Sequence, residues 1–163
     1  MLVLVMGVSG CGKTTLGRAL AERLGARFLD GDDFHPEANV RKMASGTPLD
    51  DADRRPWLAR LNAELRACEG RGEPAVLACS ALKAAYRATL GEGLQRLDTV
   101  FLHADAAVIG QRLAARSHRY MPASLLQSQL DTLEAPANAI RVDVAQAPEA
   151  CVSQALDALR AAR

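Results

Sequence analysis

The sequence predicts an α/β domain in which a doubly wound, five-stranded parallel sheet carries helices on both faces. Apolar runs of strand length alternate with amphipathic helical segments, which is the pattern of a parallel sheet connected by crossover helices. The first run, residues 2–6, is apolar throughout, as expected for a strand that is buried on both faces. A length of 163 residues suits one such domain and leaves little room for a second.

Five segments have the composition of strands. The first is followed by a glycine-rich turn, and the second delivers a cluster of acidic residues. The ranges are 2–6, 27–29, 75–79, 99–103 and 140–144. Because helical patterns separate these segments, the sequence predicts parallel pairing rather than hairpins.

The first two helices are marked by their ends. Residues 13–24 place leucines on one helical face, and Gly25 supplies a stop. Pro36 suits the first turn of a second helix, because its fixed φ angle is already helical, and this helix runs to about Ser45.

The next two helices cover the middle of the chain. Trp57 lies on the apolar face of the third, which begins at the acidic turn of Asp50 and Asp51. Ser80 is a candidate N-cap for the fourth, which contains Tyr86 on its apolar face.

Three more helices complete the pattern. One begins at about Asp105, one is opened by Pro122, and the last is opened by Pro148. With a strand between the last two, the chain maintains the α/β alternation to its end.

Composition excludes several classes of function. Lys and Arg total 20 against 19 Asp and Glu, so the formal charge of +1 argues against general binding to nucleic acid or to a membrane surface. The apolar opening lacks a basic n-region and runs into a glycine-rich turn, so it is not a signal peptide. The four cysteines are scattered without zinc spacing, which indicates reduced thiols used as small residues. We therefore expect a cytoplasmic protein.

A phosphate-binding loop follows the first strand. The motif GxxxxGK[ST] is matched in full, between a buried strand and an amphipathic helix. Its glycines allow successive backbone N–H groups to surround phosphate oxygens at the positive end of the helix. Lys13 can reach the β- and γ-phosphates, and the Thr14 hydroxyl can ligate Mg²⁺. The sequence thus predicts ATP binding by Gly7, Val8, Ser9, Gly10, Cys11, Gly12, Lys13 and Thr14.

The rest of the chain favours a small-molecule kinase. No guanine-reading NKxD segment and no DxxG segment occurs, which argues against a GTPase switch. The third strand ends in Cys79 and Ser80 rather than in the acidic residues of a motor or transporter ATPase. After the second strand, a cluster of carboxylates at 30–33 is placed where it can hold Mg²⁺ through water and accept the proton of a substrate hydroxyl.

At this level of detail the sequence resembles the gluconokinases of the shikimate-kinase-like P-loop group. The P-loop alone is generic, whereas the HPxxN, KMxxGxPL and CSALKxxYR blocks together are highly specific. The resembling stretches span residues 7–14, 30–39, 42–49, 53–58, 79–87 and 126–129. The resemblance implies transfer of the ATP γ-phosphate to the 6-hydroxyl of D-gluconate, in a cytoplasmic and often dimeric enzyme. A kinase for another hydroxy acid such as shikimate, or a non-catalytic nucleotide-binding regulator, remains the alternative.

The resemblance also assigns acceptor-side residues. Asp32 is similar to the carboxylate that meets the substrate hydroxyl, and Asp30 to a ligand of Mg²⁺-bound water; Asp33 equally suits a helix cap. Contacts to the sugar acid are implied for His35, Lys42, Lys83 and Arg87. A structural alternative for His35 is a helix cap before Pro36. Trp57 is interpreted as a core anchor rather than a stacking platform.

A small lid is implied at about residues 116–122. Arg112 resembles the arginine that packs on adenine, and Arg116 the one that reaches phosphate. Where related lids have Gly-His-Phe, this chain has His118, Arg119 and Tyr120. The extra guanidinium has no assigned role.

Overall fold

Five parallel strands form an open sheet in the computed structural model, which describes residues 1–115 and 124–163. The strands are β1 (Leu2–Met6), β2 (Arg27–Asp30), β3 (Ala75–Ala78), β4 (Asp98–His103) and β5 (Ile140–Asp143). Their spatial order is β2-β3-β1-β4-β5, and every adjacent pair is parallel. The predicted fold class and all five predicted strands are confirmed.

The strand order determines where a ligand can bind. The chain leaves β1 towards one edge of the sheet to form β2 and β3, and then crosses to the other side of β1 to form β4 and β5. In open α/β sheets the crevice outside the carboxyl ends of the strands, at the point of this reversal, is the usual ligand site. The glycine-rich turn after β1 lies at that point.

Helices connect the strands and cover both faces of the sheet. They are α1 (Lys13–Leu24), α2 (Glu37–Ala44), α3 (Asp51–Gly70), α4 (Ala84–Gly91), α5 (Ala106–Ala115), α6 (Ser124–Thr132) and α7 (Pro148–Ala161), with a 3-10 turn at Gly31–Phe34. Gly25 ends α1 in the left-handed conformation, and Asp50 is the N-cap of α3, as the sequence predicts. The side chain of Asp53 completes a capping box with Asp50. No helix within the described ranges has the length and apolar character needed to cross a membrane.

One predicted helix start is wrong. Helix α4 has Lys83 rather than Ser80 as its N-cap residue. Ala81, with φ of 45°, lies in the left-handed region between β3 and the helix, so the chain turns before helical geometry begins. The turn places Lys83 just beyond the carboxyl end of β3.

Two apolar cores lie on opposite faces of the sheet. Side chains of β1 alternate between them: Val3 and Val5 join the core with α1, α5, α6 and α7, whereas Leu2, Leu4 and Met6 join the core with α3 and α4. Because all five residues of β1 are buried, the strand carries no polar alternation. This explains the continuous apolar run at the start of the sequence.

Candidate active site

The phosphate-binding loop connects β1 to α1 in the predicted geometry. Gly10 and Gly12 both have φ of 86°, a backbone conformation that residues with a Cβ atom rarely adopt. A Cβ atom on Gly10 would also lie 2.8 Å from Leu113 Cγ. Gly12 is the N-cap of α1 and makes no side-chain cap bond, so the first N–H groups of the helix are available to an anion.

Lys13 extends over its own loop. The ammonium donates a hydrogen bond to the Val8 carbonyl at 3.1 Å. Burial lowers the pKa of Lys13, while the negative charges of Asp32 and Asp30 act in the opposite direction. The cation and these carboxylates therefore share one electrostatic environment at the mouth of the crevice.

Asp30, at the end of β2, links the loop to the acidic turn. Its Oδ1 accepts a hydrogen bond from the Asp32 backbone N–H at 3.1 Å, and its Oδ2 lies 3.5 Å from Thr14 Oγ1. A hydroxyl and a carboxylate form the hard-oxygen donor set that Mg²⁺ prefers, with phosphate oxygens and water completing the shell. The residues present thus fit the metal that the P-loop implies.

Asp32 has an unusual electrostatic position. Its side chain reaches solvent, yet the surrounding loop desolvates the carboxylate in part and raises its pKa, and the Asp30 charge adds to this rise. Lys13 opposes it. A carboxylate with increased proton affinity beside a phosphate-binding lysine is suited to orient a hydroxyl and receive its proton.

Trp57 holds the acidic turn in place. It is 5% exposed, and its Nε1 donates to the Gly31 carbonyl at 2.7 Å. The His35 ring stacks on it with a centroid distance of 4.2 Å and an interplanar angle of 15°. The packing agrees with the interpretation of Trp57 as a core anchor. His35 Nδ1 faces the side chain of Asn39, a residue to which sequence analysis gave no role.

Both acceptor-side lysines pair with aspartates in the first turn of α3. Lys42 Nζ lies 2.6 Å from Asp53 Oδ2, and Lys83 Nζ lies 3.3 Å from both carboxylate oxygens of Asp51. The hydroxyl of Tyr86 also donates to Asp51. Asp51 was predicted only as part of the acidic turn that begins the helix, and Asp53 only as part of a stretch that resembles the family. The closely spaced aspartates at 50, 51 and 53 were the available sequence signal.

Arg87 is engaged by backbone. Its guanidinium donates to the carbonyls of Ala81 at 2.8 Å, Leu82 at 3.1 Å and Glu134 at 2.8 Å. These three bonds join the turn before α4 to the segment after α6. Among the described residues these bonds use three of the five N–H donors of the guanidinium, which leaves two that can serve a ligand.

Two residues, from α5 and α6, lie near the phosphate-binding loop on the side away from the acidic turn. Arg112 on α5 donates to the Val144 carbonyl, and its charge acts on the Cys11 thiol within the P-loop. Gln129 on α6 bonds Ser9, a contact that sequence analysis missed because no spacing rule connects residues 120 positions apart. Arg116 and the predicted lid at 116–122 lie outside the described residues.

A phosphate-binding loop at the switch point of a β2-β3-β1-β4-β5 sheet, with carboxylates after the second strand, defines a P-loop kinase fold. Comparison with known proteins agrees with this class. The model of a family described as "AAA domain" matches residues 2–136. The chain is similar to a gluconokinase of Gluconobacter oxydans, with 46% identity over 93% of this chain and 87% of that protein. It is also similar to the thermoresistant gluconokinase of Escherichia coli, with 39% identity over 98% and 93% of the two chains.

A solved structure gives the same result. The crystal structure of a gluconokinase from Sinorhizobium meliloti 1021 superposes with a TM-score of 0.88 and 45% identity, covering 98% of this chain and 91% of that one. The chain belongs to the gluconokinase family.

Proposed function

We propose that this protein transfers the γ-phosphoryl group of ATP to the 6-hydroxyl of D-gluconate, giving 6-phospho-D-gluconate. The observation that carries the proposal is the electrostatic coupling of Lys13, in the phosphate-binding loop, with Asp32, at the end of the second strand. Phosphoryl transfer depends on alignment and charge neutralisation. This pair combines a cation that binds phosphate with a carboxylate that orients the hydroxyl. Family membership supports gluconate as the acceptor.

On the nucleotide side, residues 7–14 surround the phosphates of ATP with backbone N–H groups. Thr14, with Asp30 through water, would hold Mg²⁺, which neutralises phosphate charge when bound. Lys13 exchanges its bond to the Val8 carbonyl for a bond to a phosphate oxygen. We assign Arg112 to adenine and Arg116 to the transferring phosphate, as the family resemblance implies.

On the acceptor side, Asp32 orients the 6-hydroxyl and takes its proton late in transfer. The increased proton affinity of the carboxylate favours that step. His35, Lys42, Lys83 and the two remaining donors of Arg87 hold the sugar acid. Since gluconate carries one carboxylate and several hydroxyls, a group of cations and neutral donors matches its chemistry.

The test is a coupled assay of ADP formation with MgATP and a panel of hydroxy acids. We expect turnover with D-gluconate and a product phosphorylated at the 6-position, identified by ³¹P NMR. Turnover with shikimate in place of gluconate would assign another hydroxy acid. No turnover with any acid, but intact ATP binding, would identify a nucleotide-binding regulator.

We further propose that residues 1–163 form one kinase domain with a lid at about 116–122, active in the cytoplasm as a homodimer. The family resemblance supports the dimer. All four cysteines are buried and free, which suits a reducing compartment. Light scattering coupled to size-exclusion chromatography tests the dimer, because a single peak at monomer mass would contradict it. The formal charge of +1 supports a small-molecule acceptor rather than nucleic acid or a membrane.

A further inference from the structure

Asn39, in the first turn of α2, is a buried amide with two defined hydrogen-bond partners. It is 3% exposed, and its Nδ2 donates to the Asp53 backbone carbonyl at 2.9 Å. A carbonyl oxygen only accepts hydrogen bonds, so the atom facing it is the amide nitrogen and not the amide oxygen. The orientation of this buried amide is therefore determined by its backbone partner.

The same nitrogen lies 3.3 Å from His35 Nδ1. An amide NH₂ group donates two hydrogen bonds and accepts none. One of its hydrogens is therefore donated to the Asp53 carbonyl and the other to the imidazole. His35 Nδ1 must then be the unprotonated nitrogen, and the proton of the neutral ring lies on Nε2. An imidazolium would oppose two N–H groups across this contact.

The ring itself is held by packing. Its stack on Trp57 sets the ring plane, and Trp57 is fixed by its bond to the Gly31 carbonyl. Burial and, to a smaller extent, the positive charge of Arg54 on α3 together lower the pKa of His35 to about 4. Within residues 1–115 and 124–163, no hydrogen bond engages His35 Nε2.

We propose that Asn39 is a positioning residue that locks His35 as the Nε2–H tautomer, so that His35 donates a hydrogen bond to an oxygen of the acceptor substrate. The substrate part rests on the proposed function. The four-residue spacing of the HPxxN block has a physical reason here: Pro36 begins the helix, and the first turn returns Asn39 to the histidine ring. A neutral donor discriminates hydroxyl geometry without adding charge to a site rich in lysine and arginine.

The first experiment measures the tautomer directly in the wild-type protein. Long-range ¹⁵N–¹H correlation spectra distinguish the Nε2–H ring, the Nδ1–H ring and the imidazolium, and His35→Gln assigns the signal. We expect the Nε2–H form at neutral pH. The Nδ1–H form or an imidazolium would overturn the proposal, and this result does not depend on which acid is phosphorylated.

The second experiment separates positioning from structure. Asn39→Ala is expected to raise the gluconate KM about tenfold, the effect of losing one hydrogen bond, with kcat and the ATP KM nearly unchanged. Asn62→Ala is the matched control, because Asn62 Nδ2 also donates two hydrogen bonds, to the carbonyls of Leu90 and Glu92 at 2.9 Å each, at a position away from His35. It should lose stability and keep its gluconate KM. Equal KM changes in both variants would overturn the positioning role.

A third pair of variants tests donation at His35. His35→Gln keeps an N–H donor and should retain part of the gluconate affinity, whereas His35→Leu should lose more. Equal KM values for the two variants would overturn donation to the substrate. If neither the wild type nor any variant turns over gluconate, the proposed function fails, while the tautomer result stands on its own spectra.

Discussion

The side-chain amide of Gln129 contacts Ser9 of the phosphate-binding loop through both of its polar atoms. Oε1 accepts from the Ser9 backbone N–H at 2.7 Å, and Nε2 donates to Ser9 Oγ at 3.2 Å. The bonds connect α6, which follows the predicted lid in the chain, to the loop that precedes α1. The conformation of the loop thus depends on its own glycines and on two hydrogen bonds from a helix about 120 residues further along the chain.

Gln129→Ala should therefore weaken nucleotide binding. Loss of one to two net hydrogen bonds costs about 1–2 kcal/mol, so we expect the ATP KM to rise roughly tenfold and the gluconate KM to change little. Gln127→Ala is the control on the same helix, since Gln127 is exposed and bonds only to Asp131 among the described residues, at 2.8 Å. An ATP KM that is equal in the two variants would contradict a supporting role for Gln129.

Asp32→Asn tests the acceptor carboxylate. General-base and orienting groups contribute about 10²–10⁴ in rate, so we expect kcat to fall by a factor in that range while ATP binding, measured by calorimetry, is nearly intact. Asp33→Asn is the matched control, because it removes the neighbouring exposed carboxylate from the same turn. If Asp33→Asn lost more activity than Asp32→Asn, the roles of the two aspartates would be exchanged.

Asp32→Asn should also increase the thermal stability of the protein. A carboxyl whose pKa is raised in the folded state binds its proton more tightly there than in the unfolded chain, so its contribution to stability falls as pH rises through the acidic range. At neutral pH the ionised Asp32 carboxylate is partly desolvated and lies beside Asp30, both at a net cost, and Asn removes the charge that bears that cost. A small rise in Tm for Asp32→Asn at pH 7, absent below pH 3, is the expected result of differential scanning calorimetry. A lower Tm at pH 7 would contradict it.

Lys83→Arg tests whether a compact ammonium is required on the acceptor side. The chain has only three lysines among its 20 basic residues, and two of them are the cations that pair with Asp51 and Asp53. A planar guanidinium at this position would pair with both oxygens of Asp51 as a rigid fork, so its donors would be held by that carboxylate and would not occupy the position of the compact Lys83 ammonium. We expect a several-fold rise in the gluconate KM, an unchanged ATP KM, and a weaker effect of Lys42→Arg.

The control for the lysine variants is Arg160→Lys, an exchange of the same two residue types on α7, which packs on the other face of the sheet. It should leave all kinetic constants unchanged. Wild-type gluconate kinetics in both Lys83→Arg and Lys42→Arg would mean that these lysines act only as surface charge.

His35 should make the protein sensitive to acid. Its pKa is about 4 in the folded state against about 6.5 in an unfolded chain, so the unfolded chain binds the proton first as pH falls. The stability gained from the neutral ring is fully present above pH 6.5 and is lost as pH falls from 6.5 to 4. Urea unfolding across this window should show a smaller loss of unfolding free energy for His35→Gln than for the wild type. Equal slopes would contradict a neutral, partly buried ring.

The sequence by itself determined those features that depend on neighbouring residues. The apolar run of β1 predicted a strand buried on both faces, because no polar residue interrupts it. The glycines and Lys13 predicted the phosphate-binding loop, because only glycine allows that backbone path. Gly25 and Pro148 predicted a helix end and a helix start, since both residues restrict backbone geometry locally. Ser80 failed as a cap because the left-handed Ala81 after it is a local conformation that its residue type does not predict.

Only the tertiary structure decided which of these parts meet. The strand order brings the loop after β1 beside the acidic turn after β2, and it brings α6 within hydrogen-bonding distance of Ser9. The pairing of Lys83 with Asp51, and the Asp53 carbonyl that orients Asn39, depend on how α3 packs against α2 and α4. Hydrophobic periodicity specifies the buried face of each helix and strand, but not the partner of a polar side chain. That partner is chosen by packing across many intervening residues, where buried polar groups must find hydrogen bonds.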